Sequence, residues 1–182
     1  MNYIKITKHD IANGSGIRVV LWVSGCSMHC NQCHNRQTWD KNKGQEFTEE
    51  TMHELIEALN KPYISGITYS GGHPLEDYNI DAITKIASTI NKVLPHKTQW
   101  LYTGYEFNEI IKMPKCRDLL KYLDVIVDGK YDYTKRDISL KFRGSSNQNI
   151  WKKLKRSDFK KDHINTLPYT KAEYWVIDNG NI

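Results

Sequence analysis

Apolar positions along this chain fall into short runs separated by stripes at helical spacing. Ile17-Arg-Val-Val-Leu-Trp-Val23 is β-branched and almost continuous, which predicts a buried strand entered from the turn Asn13-Gly-Ser-Gly16. Thr48 is placed to cap a helix over residues 49–60, with Met52, Leu55, Ile56 and Leu59 on one face. Residues 65–69 read as a second strand that runs into the tight loop Ser70-Gly-Gly-His-Pro74. A second helix is expected over 80–93, where Ile83, Ile86, Ala87 and Ile90 share a stripe. Residues 98–102 form a third predicted strand ending at Thr103-Gly104, two short helices follow near 106–112 and 117–122, and residues 124–127 form a fourth strand ending at Asp128-Gly129. Beyond Tyr131 the pattern weakens: 138–150 reads as loop or edge strand, 151–163 is strongly basic, and 173–177 reads as a last strand.

The order β-α-β-α-β-α-β predicts an α/β protein with a mostly parallel sheet and right-handed crossovers. A chain of 182 residues is too short for eight such units, so the expected architecture is a partial, open (β/α) barrel. All four predicted strands end in small or polar residues, and sites in α/β sheets lie at those ends. Residues 1–151 are expected to carry the site, with 152–182 a basic C-terminal extension of the same domain.

Composition narrows the class. Hydrophobic residues make up 39% and charged residues 26%, as in a soluble globular protein, and no apolar run has the length of a membrane span, so no membrane partner is expected. The net charge of +5 is modest and no nucleic-acid motif accompanies it, so nucleic acid is not an expected partner either. No secretory signal is apparent at the start of the sequence, and clustered free thiols suit a reducing compartment, which makes the cytoplasm the expected location.

The candidate chemistry sits just after the first predicted strand. Cys26, Cys30 and Cys33 have the spacing C-x3-C-x2-C. Three thiolates on one loop can hold three corners of a [4Fe–4S] cube and leave the fourth iron open, whereas an ordinary electron-carrying cluster takes four cysteines. The alternative is a Cys3His zinc knuckle completed by His29 or His34. Cys116 lies far away in sequence and is a poor candidate ligand. Gly71 and Gly72 suit either a plain tight turn or a backbone that approaches a small molecule closely.

The cysteine spacing resembles that of the radical S-adenosylmethionine (SAM) enzymes. Gly71-Gly72-His73-Pro74 resembles their GGDP or GGEP motif, with His73 in place of the acidic residue. The resemblance narrows further through Asn13-Gly-Ser-Gly-Ile-Arg18, Val23-Ser-Gly-Cys26, Asn35 with Thr38-Trp39, Tyr102-Thr-Gly-Tyr105, Val127-Asp-Gly-Lys-Tyr131 and Arg143-Gly-Ser-Ser-Asn-Gln148. In this order they look like the activating proteins of anaerobic ribonucleotide reductase, a family of radical SAM glycyl-radical activases. The likeness covers residues 2–151, with Ser15 where the family commonly has proline.

That resemblance implies a barrel of the radical SAM type. It also implies one cluster on Cys26, Cys30 and Cys33, and SAM lined by Gln32, Cys33, His34, Gly71 and Gly72 with Asp128 and Lys130 contributing. Gln32 departs from the aromatic residue usual before the third cysteine. The implied activity is reductive cleavage of SAM to a 5′-deoxyadenosyl radical that takes a Cα hydrogen from a glycine of the large reductase subunit, with no side-chain general base. A flavodoxin- or ferredoxin-type protein is the implied electron donor. The Arg143–Gln148 segment and the basic tail are candidate docking elements. Rival readings are an activase of another glycyl radical enzyme such as pyruvate formate-lyase, a non-catalytic zinc-binding interaction module, and an inactive paralogue.

Overall fold

The computed structural model describes residues 1–154 and 175–180. The predicted strands and helices form close to their expected bounds. Strands β2 (Ile17–Val23), β4 (Ile64–Gly71), β5 (Thr98–Tyr102) and β6 (Val125–Asp128) lie side by side and parallel. Helix α1 (Glu49–Leu59) starts at Thr48, whose hydroxyl accepts the Thr51 N–H while the Thr51 hydroxyl accepts the Thr48 N–H, a reciprocal cap. Helix α2 (Ile80–Val93) buries Ile83, Ile86, Ala87 and Ile90. Helices α3 (Phe107–Ile110) and α4 (Cys116–Leu119) are single turns.

The expected mostly parallel partial barrel is corrected by the sheet itself. Among the described residues it is one open mixed sheet of eight strands in the order β3-β1-β2-β4-β5-β6-β7-β8. Four of its seven pairings are antiparallel and three are parallel. Among the described residues strands outnumber the four α-helices, two of which are one turn long. The reason lies in the connections. Strand β1 (Asn2–Asp10) turns directly into β2 without a helix and so must pair antiparallel, and the chain after β6 returns as β7 (Asn149–Lys153) with no α-helix between them. Strand β1 has no counterpart in the sequence-based assignment. Its partly buried Ile4 and Ile6 flank Lys5 in a short alternation that was masked by neighbouring Lys, His and Asp. Strands β3 (Gln45–Glu46) and β8 (Trp175–Ile177) add to the two edges, β8 on the expected last strand. Of the basic extension, Lys152 and Lys153 belong to β7, whereas Lys155, Arg156, Lys160 and Lys161 lie outside the described residues.

One core joins the sheet face carrying Val19, Leu21, Val23, Ile67, Tyr69, Leu101 and Ile126 to the buried residues of α1 to α4. Trp100, Val125, Val127 and Ile150 make a smaller cluster, with Phe142 packed on it. Arg18 bolts the parallel strands together. It is 1% exposed, and its guanidinium donates to Thr68 Oγ1, Thr98 Oγ1 and the carbonyls of Ser15, Ile67 and Thr98 at 2.6–3.2 Å, while lying over the Trp100 ring. Burial pulls its pKa down to about 10, so it is still charged at neutral pH. Replacing Arg18 with methionine leaves several buried acceptors without a donor at about 1–3 kcal/mol each. The expected loss is roughly 3 kcal/mol or more of unfolding free energy, read from the shift of the urea midpoint.

Candidate functional site

The loops that follow β2, β4, β5 and β6 meet at the carboxyl ends of the parallel strands, as expected for this class of sheet. Between them lies a cavity of about 150 Å³. Cys26, Cys30 and Cys33 line it from the first loop, Gly71, Gly72 and His73 from the second, Thr103 and Gly104 from the third, and Gly129 and Tyr131 from the fourth. The three cysteines are free thiols of intermediate exposure. Cys116 is buried in the main core, away from this cavity, so it serves packing.

The cysteine loop is fixed by backbone contacts at both ends. Gly25 and Cys26 donate to the carbonyls of Thr38 and Trp39 at 2.7 and 3.1 Å, so the segment after Cys33 folds back onto the start of the loop. Within it His29 and Gln32 take left-handed backbone conformations, φ 43° and 54°, unusual for residues with a Cβ. The second loop is docked on the first: Gly72 and His73 donate to the carbonyls of Val23 and Gly25 at 2.8 and 2.7 Å. A Cβ on Gly72 would stand 2.4 Å from the Gly25 carbonyl oxygen, so close packing on the cysteine loop already requires that glycine.

Burial pushes the Cys26 thiol up, against hydrogen bonds from the Met28 and His29 N–H groups. Burial also pushes Cys30 up, against the positive charge of Lys130 and a bond from the Tyr131 N–H. The Cys33 sulfur accepts the Asn35 N–H at 3.3 Å. Backbone N–H groups thus reach all three sulfurs, the kind of donor that tunes a thiolate-bound cluster.

His73 is 1% exposed. Its Nε2 lies 2.8 Å from Thr103 Oγ1 and its Nδ1 3.3 Å from Glu76 Oε1. Thr103 Oγ1 accepts the Tyr105 N–H and is free to donate its proton to Nε2, so Nδ1 carries the hydrogen that Glu76 accepts. Burial lowers the His73 pKa despite the attraction of Glu76, so this is a neutral imidazole hydrogen-bonded to a carboxylate rather than an ion pair. Burial by itself would raise the Glu76 pKa, but hydrogen bonds from Ser27 together with His73 hold it below the usual carboxylate value.

The family described as a 4Fe-4S single cluster domain matches residues 12–151. A protein of Enterobacteria phage T4 named anaerobic ribonucleoside-triphosphate reductase-activating protein is 45% identical over 151 residues, covering 83% of this chain and 94% of its own length. Proteins of the same name from Escherichia coli K12 and Pasteurella multocida are 40% and 36% identical, over 81% and 84% of this chain and 96% and 98% of their own lengths. The chain belongs to this family of reductase-activating proteins.

The residues present fit the [4Fe–4S] group that the family description implies. Three free thiols ring one cavity. Trp39 and Tyr131 also line it, and their Nε1 and OH atoms are buried without a hydrogen-bond partner, as donors awaiting an acceptor-rich group would be.

The other sequence-derived site residues are distributed less uniformly. Gln32 and His34 are exposed on the cysteine loop, with the His34 ring 5.8 Å from that of Tyr131. Asp128 and Lys130 line a larger adjoining groove of about 590 Å³ that shares Gly104 and Gly129 with the cavity. The Asp128 carboxylate is already engaged, accepting from the Phe107 and Asn149 N–H groups and the Trp151 indole at 2.8–3.0 Å. Arg143 and Gln148 are drawn inward too. Arg143 donates to the carbonyls of Gln148 and Asn179, and the Gln148 amide donates to the Gly129 carbonyl while accepting from the N–H groups of Gly144 and Ser145. Sequence reasoning overlooked Glu76 and assigned no site role to Thr103 or Tyr131, although both lie in segments that carry the family resemblance. The carboxylate three residues beyond His73 in a tight loop was the available signal.

The lowered His73 pKa has a testable consequence. Below its ordinary value of 6.5 the unfolded chain binds a proton that the folded chain resists, so stability is present above that pH and falls as the pH drops. The Glu76 contribution is lost in a separate window, below its ordinary value of 4.5. Urea unfolding of the metal-free chain between about pH 7.5 and 5.5 is expected to show a midpoint that falls with acid, and His73→Gln is expected to flatten that slope.

Proposed function

We propose that this chain is a radical SAM activating enzyme that reductively cleaves SAM and generates a glycyl radical on the large catalytic subunit of the anaerobic ribonucleotide reductase. The observation that carries the reading is a ring of three free thiols, with no fourth cysteine, on a cavity at the carboxyl ends of the parallel strands. Family membership, with relatives named for activating that reductase, supplies the substrate protein.

Cys26, Cys30 and Cys33 would hold three irons and leave the fourth for the amino and carboxylate groups of SAM. When bound and reduced, the cluster supplies one electron for cleavage of the SAM sulfonium, whose deoxyadenosyl product takes the glycine hydrogen. The chain's own residues bind, orient and exclude water. Gly71 and Gly72 form a wall without side chains, where backbone can approach the ligand. Gln32 and His34, exposed on the cysteine loop on either side of Cys33, would contact SAM from there. Lys130 offers a cation to the SAM carboxylate. Asp128, its oxygens already engaged, acts by fixing the Gly129 turn between cavity and groove. No side chain is needed as a general base. The adjoining polar groove gives a peptide segment access to the cavity.

A flavodoxin- or ferredoxin-type protein would deliver the electron, and cytoplasmic, oxygen-free conditions follow from the fragility of an open iron site. Among the described residues no helix is long and apolar enough to cross a membrane. Anaerobically reconstituted, dithionite-reduced protein supplied with SAM is expected to release 5′-deoxyadenosine, and Cys30→Ala to abolish it. Production with the reductase, and none of it yielding a glycyl radical signal by electron paramagnetic resonance, would redirect the reading to another glycyl radical enzyme. An intact cluster with no product under any condition would sink it.

A further inference from the structure

Glu76 is a nearly buried carboxylate that the proposed chemistry does not use. It stands in the loop after β4 and reaches the loop after β2. Its Oε1 accepts the Ser27 N–H at 2.8 Å and the Ser27 hydroxyl at 2.7 Å, one residue beyond Cys26. From behind, the same oxygen is met by His73 Nδ1, and the buried His73 ring is set by Thr103 at 2.8 Å and by the edge of Tyr105 with centroids 4.6 Å apart. Ser27 and His73, from two strand ends, therefore converge on one carboxylate oxygen, Thr103 from a third strand end stands behind His73, and that oxygen grips the cysteine loop.

The loop needs such a grip. It winds through two left-handed residues that carry side chains, His29 and Gln32, conformations that persist only where the surroundings enforce them. Charge-assisted bonds from Ser27 to an ionised carboxylate are stronger than neutral ones.

We propose that Glu76 is the positioning residue of the cysteine loop, holding Cys26 in place for cluster binding through Ser27, with His73 and Thr103 holding Glu76. Only the purpose of this clasp rests on the cluster reading above; the clasp itself does not.

The test uses the metal-free full-length chain, kept reduced and anaerobic, with iodoacetamide as probe and site-resolved mass spectrometry of Cys26, Cys30, Cys33 and Cys116. Glu76→Ala is expected to raise the alkylation rate of Cys26 several-fold while Cys116, in the core, stays protected. Ser27→Ala keeps the Glu76 charge and the backbone bond, so a smaller rise there reports loop release rather than a change in electrostatics. The double variant is expected to match Glu76→Ala, because both changes act on one contact. Glu76→Gln, which retains an acceptor of the same shape, is expected to fall between wild type and Glu76→Ala, and it carries the test with Ser27→Ala if the alanine variant does not fold. An unchanged Cys26 rate, or a rise shared equally by Cys116, overturns the proposal. On reconstitution at limiting iron, the variants are expected to take up less iron per chain than wild type. Equal uptake despite a loosened loop overturns the assigned purpose. The alkylation result does not depend on SAM, so it stands or falls apart from the radical reading.

Discussion

The candidate site depends on how closely the end of β4 lies against the end of β2. At Gly71 a Cβ would come within 2.8 Å of the Val23 nitrogen, and at Gly72 within 2.4 Å of the Gly25 oxygen. Gly71 also has φ +103°, which a side chain strongly disfavours. In that space two backbone hydrogen bonds, Gly72 to Val23 and His73 to Gly25, join the loops directly. The cysteine loop is thereby attached to a second strand end instead of hanging from one, and everything across the cavity is measured from that junction.

The remaining walls are set by buried polar groups whose bonds are directed. Asp128 ties the end of β6 to the start of α3 and to β7 through three donors. Gln148 closes the long excursion after Gly129 back onto Gly129 itself. At the opposite end of the sheet Arg18 spans β2, β4 and β5. A buried polar group left unpaired is costly, so each of these networks admits few alternative arrangements. The antiparallel flanks matter for the same reason. Strand β7 exists as a partner of β6, and it carries both Trp151 and the Asn149 N–H that Asp128 binds.

Much of this was legible in the sequence where the signal is local. The apolar runs of β2 and β6, the stripes of α1 and α2, the cap at Thr48 and the cysteine spacing all depend on neighbours within a few residues, and each is where the pattern put it. Strand β1 was missed because its alternation is short and its flanks are charged. The barrel expectation failed because counting βα units says nothing of how the unassigned ends pair, and both ends supplied antiparallel strands.

The sequence by itself determined which residues could carry chemistry: three thiols in one loop, two adjacent glycines, and a histidine where an acid was expected. Tertiary structure alone decided what stands beside them. Nothing in the order of residues says that Glu76 faces Ser27 across two loops, that Asp128 spends its oxygens on backbone and indole donors, or that Arg143 and Gln148 turn inward. Those outcomes follow from satisfying buried hydrogen-bonding groups across strands far apart in the chain, a condition that exists only once the sheet has formed.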